Sequence, residues 1–388
     1  MEGNDLTGTA THIHIGAARL AVLTLFFING LAGASWFVRI PDVQDSIGLS
    51  NALLGVTLLG LPAGAVVAMP IAGLMTNRVG SRRIALIGAV IACVGVALIG
   101  VANNAALLAA MLVVFGIGNG AMDIGMNAQG VEVESYAEHS LMSQFHGAFS
   151  VGGIAGAASG GFLASHGVDV QPHLAGIGLI CFIATLVIAR LLLPRAAEHE
   201  HADAPALTLR APWPIVLLGI IAFCAMLTEG AMSDWTAVYL RDIGAGAGLA
   251  ASGYALFSIT MAIGRLSGDR AIDALGGRRL IQVGGVVAAG GILVAMVLHT
   301  VPAALIGFGL VGIGVATIAP IVYSTAGRSR LIPPGTAIAA ATTIGYLGFM
   351  AGPPVIGLTA GLTGLRWALT VVVAMLGAMV MLARSMEH

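Results

Sequence analysis

Asn77-Arg78-Val79-Gly80-Ser81-Arg82-Arg83 and Asp273-Ala274-Leu275-Gly276-Gly277-Arg278-Arg279 are two arginine-rich tight turns, each interrupting an intensely apolar run. They stand 196 positions apart, Gly80 to Gly276, which is almost half of the 388 residues. The same offset carries Gly88 to Gly284, Gly95 to Gly291, Gly116-Ile117-Gly118 to Gly312-Ile313-Gly314, and Gly152 and Gly156 to Gly348 and Gly352. Glycine is abundant here, so single matches carry little weight. Two Gly-x-Arg-Arg turns and a repeated Gly-Ile-Gly at one offset mark an internal duplication.

Composition fixes the solvent. Apolar residues make up 58% of the chain, charged residues 9%, and the mean hydropathy is +0.97; a soluble chain carries roughly 25% charged residues. Twelve apolar runs, at about 17–40, 51–75, 84–102, 105–131, 141–165, 173–193, 213–240, 249–269, 280–299, 303–326, 336–360 and 366–383, are each long enough to cross a hydrocarbon core of roughly 30 Å. Such a core requires every backbone polar group to be satisfied within its own segment, so the runs read as helices and not as barrel strands. The expected fold is an all-α membrane protein of twelve transmembrane helices in two six-helix halves, 1–193 and 213–388, joined by a polar linker at 194–212. His199-Glu200-His201 in that linker suits a metal less well than a solvated connection. Cys93, Cys181 and Cys224 read as small apolar residues within helices, so no metal site and no cofactor is expected.

The chain has no lysine, and its charge asymmetry rests on seventeen arginines. Fourteen fall at the termini or in the even-numbered connections; only Arg39, Arg241 and Arg366 fall on the other side. By the positive-inside rule both termini are cytoplasmic. The first sixteen residues are polar and mixed, with no cleavable signal pattern, and a multi-pass inner-membrane protein is expected.

Ionisable groups within apolar spans are costly, and each is a functional candidate. In the fourth span Asn119, Asp123 and Asn127 share one helical face at i, i±4 spacing. A carboxylate between two carboxamides suits a ligand or proton site. His146 enters the fifth span at a depth expected to match Asp123, and an Asp–His pair can share a proton; the alternative is a histidine satisfied by a backbone carbonyl or by Gln144. In the seventh span Glu229 is near the midplane on the face of Ser233, while Asp234 lies about 140° away, either in the cavity with Trp235 or pairing outward with Arg241. The first span offers Asn29 and, seven residues on, Trp36, which suits either stacking on a flat polar ligand or interfacial anchoring. Arg39 and Asp42 lie beyond, at the mouth. Gly152, Gly153, Gly156, Gly160 and Gly161, like Gly348 and Gly352 before Pro353-Pro354, read as close-packing and bending elements.

Twelve spans in two parallel halves with an arginine turn after the second and eighth resemble the major facilitator superfamily over the whole chain. Gly73-x-x-x-Asn77-Arg78-x-Gly80 with Arg82-Arg83 resembles its loop motif, and Asp273, Arg278 and Arg279 form the second copy. Asn77 replaces the usual aspartate, which leaves Glu132 and Glu134 as candidate partners for the loop arginines. Met122-Asp123-Ile124-Gly125-Met126-Asn127 and Ser143-Gln144-Phe145-His146-Gly147-Ala148-Phe149 are similar to the fucose permease branch and its uncharacterised bacterial inner-membrane relatives. The resemblance implies a proton-handling role for Asp123. That branch's acid on the first helix is Phe37 here, so fucose itself is not implied.

The expected function is a proton-coupled secondary transporter working as a monomer by alternating access. Asp123, His146 and Glu229 would handle the proton. Asn29, Trp36, Asn119, Asn127, Gln144, Asp234 and Trp235 would contact the substrate. With no deep arginine expected in the cavity, a neutral sugar-like solute is favoured over an anion. Export of weakly basic compounds and solute sensing without transport are the competing readings; no metal-ligand or nucleophile motif supports an enzyme.

Overall fold

The computed structural model describes residues 15–137, 141–197, 211–329 and 331–386; His199-Glu200-His201 and Arg330 lie outside these, as do the side chains of Asn77 and Ser143. The described residues form helices and turns without strands, and twelve helices are long and apolar enough to span a membrane. They are α1 Ile15–Ile47, α2 Asn51–Thr76, α3 Ser81–Ile99, α4 Ala105–Ala137, α5 Gln144–Ser165 and α6 Val170–Ile188 in the first half. The second half holds α7 Trp213–Asp242, α8 Ala247–Leu266, α9 Gly277–Leu298, α10 Val301–Gly327, α11 Thr336–Thr363 and α12 Leu365–Ser385. An even number of spans puts both chain ends on one face.

Turn and cap chemistry sets the helix ends. Gly80 and Gly276 adopt φ of 91° and 76°, so both copies of the arginine turn need the left-handed region that glycine reaches without a Cβ penalty. The Ser50 hydroxyl caps α2 by accepting from the Leu53 amide at 3.3 Å. Glu134 Oε2 accepts from the amides of Leu141 and Met142 at 2.5 and 2.9 Å, so that carboxylate serves the start of α5 instead of a loop arginine.

The duplication is visible in the packing. A Cβ on Gly152 would lie 2.1 Å from the Phe27 carbonyl oxygen, and one on Gly348 would lie 2.3 Å from that of Phe223, 196 positions later in both partners. Gly116 against Leu61 and Gly312 against Phe257 repeat the relation at 2.0 and 2.3 Å. Backbones cross this closely only where one helix lacks a side chain, so the matched glycines fix the same α1–α5 and α2–α4 crossings in both halves. Cys93 and Cys181, far apart in sequence, are both buried and meet between α3 and α6.

The halves meet through α5 with α8 and α2 with α11, at the ends of these helices remote from the chain termini. There a Cβ on Gly161 would approach that of Ala251 to 2.8 Å, and one on Gly55 the Pro353 oxygen to 2.4 Å. Arg241 pairs with Asp45 across the seam at 3.3 Å, and the Phe37 and Tyr254 rings meet edge-on at 5.3 Å. Arg39, almost fully buried, binds Asp42 at 2.9 Å and the Val168 carbonyl at 2.7 Å on the same face.

Candidate substrate site

Beneath this closed face a cavity of about 300 Å³ lies on the seam between the halves. The first half contributes Asn29 and Trp36 from α1, Asn119 and Asp123 from α4, and Ser150 from α5; the second contributes Glu229, Ser233 and Asp234 from α7, Tyr254, Ser258 and Arg265 from α8, and Tyr346 from α11. Phe37, Phe149, Phe257 and Phe349 complete an aromatic wall. The volume lies at the lower end of the range for small-ligand pockets, roughly 300–1,000 Å³.

Repeat-related positions line the cavity together: Leu58 with Tyr254, Leu61 with Phe257, Pro62 with Ser258, Ala65 with Met261, Met69 with Arg265, Ser150 with Tyr346, and Gly153 with Phe349. The backbone frame is twofold and its chemistry is not. Apolar positions of α2 have become hydroxyl, aromatic and guanidinium groups in α8.

Asp123 is held by its own helix. Asn127 Nδ2 donates to the Asp123 carbonyl at 2.8 Å and to its carboxylate at 3.1 Å, so Asn127 orients the acid without lining the cavity. Glu229 Oε2 lies 3.5 Å from Arg265 Nη2, an ion pair between α7 and α8. Asp234 lines the same cavity and has no ion-pair or hydrogen-bond partner among the described residues, while Arg241, its expected outer partner, is taken by Asp45. Asn29 is 7% exposed, and its Nδ2 donor has no partner either.

Arg265 corrects the expectation of a cavity without a deep cation. The α8 path continues past Ser267 through a short helix, Gly268–Leu275, to the Gly276 turn. Arg265 therefore sits at the last turn of α8, eleven residues before the Gly276 turn, on a helical path that lets its side chain line the cavity. The neutral-only argument for the solute falls with that expectation, because a guanidinium is present to pair with a carboxylate.

Three other expected residues lie elsewhere. His146 is exposed, with its ring edge-on to Phe26 at 5.1 Å and no hydrogen bond to Asp123. The reason is helix length. α4 runs on to Ala137, placing Asp123 fourteen residues or about 21 Å from its end, whereas His146 is four residues or about 6 Å from the start of the Met142–Ser165 helix. Gln144 accepts from Arg19 at the terminus-bearing end. Trp235 is 1% exposed, packs in the hydrophobic core and is not among the residues that line the cavity. The loop residues Arg78, Gly80, Arg82, Arg83, Asp273, Arg278 and Arg279 all lie on the terminus-bearing face, distant from the cavity.

Residues 22–331 match the family pattern of the Major Facilitator Superfamily. The chain belongs to that superfamily. It is 38% identical over 365 residues to an uncharacterized MFS-type transporter of Yersinia pestis, covering 94% of each chain. It is 34% identical over 361 residues to the membrane protein MosC of Rhizobium meliloti, covering 91% of this chain and 86% of that one. Among solved structures, a point mutant of the nucleoside transporter NupG superposes with a TM-score of 0.79 at 11% identity, covering 96% of this chain and 100% of NupG. A bacterial homolog of the human lysosomal transporter Spinster, inward-facing and occupied, superposes with a TM-score of 0.76 at 16% identity over 94% of this chain and 95% of that one. At these identities the two structures establish the fold alone. By family, this superfamily member is a multi-pass membrane transporter and not an enzyme.

Proposed function

We propose that this transporter is a proton-coupled secondary carrier of a small polar solute, working as a monomer in the inner membrane by alternating access. The observation that carries the reading is one cavity at the seam into which the first half places Asp123 and the second places Asp234 and the Glu229–Arg265 pair. Three carboxylates face one guanidinium there, an excess of two acids. Unpaired charge is not tolerated in a low-dielectric interior, so Asp123 and Asp234 need a proton or a cationic solute to neutralise them. The likeness of the Met122–Asn127 run to the fucose permease branch supports assigning the coupled proton to Asp123.

Asn29, Asn119, the Ser and Tyr hydroxyls and the flanking Trp36 and Phe37 suit a neutral hydroxylated solute, with amide donors for its oxygens and rings for its apolar face. The same acid excess favours one competing cargo, a weakly basic compound exchanged outward for protons. We place the terminus-bearing face in the cytoplasm on the arginine distribution. The seam contacts at the opposite face then correspond to an inward-facing state.

Proteoliposomes containing a pH-sensitive dye, challenged with neutral sugars, polyols and weak bases, test the reading. Proton entry triggered by a sugar or polyol is the expected result. Proton exit with a base would establish the exporter. No proton movement with any solute that binds would overturn proton coupling.

A further inference from the structure

The 196-residue repeat makes one difference between the halves conspicuous. Toward the terminus-bearing face of the first half, Gln129, eight residues before the end of α4, donates to Ser81 Oγ at 2.6 Å and to the Leu193 carbonyl at 3.1 Å, and accepts from the Leu193 amide at 2.9 Å. This clamp draws the chain leaving α6 inward, so that Leu192 and Leu193 are 1% and 2% exposed. The repeat equates Ser81 with Gly277 and Gln129 with Thr325, neither of which carries the groups for such a clamp. In the second half the described residues leave a groove of about 1210 Å³ at the corresponding place, lined by Trp213, Leu218, Leu275, Arg278, Arg279 and Arg328.

The charge at this level is reversed as well. Glu132 and Glu134 of the first half correspond to Arg328 and Arg330 of the second. Arg328 therefore joins Arg278 and Arg279 around the groove, and none of the three forms an ion pair among the described residues. Beside them the exposed Trp213 opens α7, and leucines give the groove an apolar floor, Leu217 and Leu218 buried and Leu275 and Leu331 exposed. Guanidinium groups recognise phosphate oxygens by paired N–H donors, and tryptophan settles at the headgroup level of a bilayer.

We infer that this groove binds an anionic phospholipid, with the headgroup phosphate among Arg278, Arg279 and Arg328 and the adjoining chain against the leucine floor. A soluble phosphate would satisfy the arginines and leave the apolar floor uncovered, which favours the lipid. The inference does not depend on the transported solute.

Native mass spectrometry of the delipidated full-length protein, titrated with phosphatidylglycerol and with phosphatidylcholine of the same acyl chains, provides the test. We expect phosphatidylglycerol to bind about a hundredfold more tightly, since each of the three arginines near an anionic headgroup contributes about 1 kcal/mol. That preference should fall about fivefold in Arg279→Gln and in Arg328→Gln, each of which removes one such contact of about 1 kcal/mol. Both side chains are exposed, so neither substitution removes a buried contact. Arg83→Gln, the first-half counterpart of Arg279→Gln, should keep the wild-type preference. Equal binding of the two lipids, or a preference unchanged in both second-half variants, would overturn the inference. Displacement of phosphatidylglycerol by millimolar inorganic phosphate would also overturn it, in favour of a soluble anion.

Discussion

Arg265 and Glu229 carry opposite charges in a cavity where, among the described residues, each is the other's ion-pair partner. Removing one member of such a pair strands the other, whereas removing both leaves a polar, uncharged site. Arg265→Gln should therefore destabilise the protein by about 2 kcal/mol, less than for a fully enclosed pair because both groups touch the cavity. Glu229→Gln added to it should restore most of the loss. Thermal unfolding of the purified single and double variants measures this, and a double variant less stable than Arg265→Gln would show that the pair is not coupled. The acids were legible from sequence because an ionisable group inside an apolar run has no bland reading. The sequence alone misplaces Arg265, because a cation near a span's end also satisfies the positive-inside rule, and only the folded packing brings its side chain to the cavity.

At the scale of the helix, apolar run length located every span, but it undercounts helices whose polar tips leave the hydrocarbon. α4 extends to Ala137, six residues past its apolar run, and that error brought His146 level with Asp123 on paper and not in space. The glycine pattern was a better guide, since its matched positions became matched helix crossings. Gly348→Ala would set a Cβ 2.3 Å from the Phe223 oxygen, forcing α7 and α11 apart. A loss of about 1–3 kcal/mol or more is expected from such overpacking. Gly290→Ala in α9 meets nothing within 4 Å, and should be neutral or stabilising by up to about 1 kcal/mol through reduced backbone freedom. Unfolding temperatures of the two variants in one detergent check the contrast; equal effects would contradict the crossing geometry.

Across the whole molecule, duplication supplies a symmetric frame and divergence supplies the chemistry. The frame was legible in the 196-residue offset, because backbone crossings demand glycine at fixed places. The site was legible only in part: Asp123, Asn29, Trp36, Asn119, Glu229 and Asp234 do converge, while Tyr254, Ser258 and Tyr346 carried no signal, since hydroxyls are common in membrane helices as packing groups. The proposed proton coupling belongs to this scale, because Asp123 and the Asp234 and Glu229–Arg265 groups come from different halves and share a cavity only through the seam. The most direct test is Asp123→Asn in proteoliposomes, comparing solute exchange at equilibrium with solute accumulation driven by a proton gradient. The account predicts that exchange persists, since the fold and the remaining lining are intact, while gradient-driven accumulation is lost. Accumulation at the wild-type level in Asp123→Asn would contradict the assignment of the coupled proton to this carboxylate.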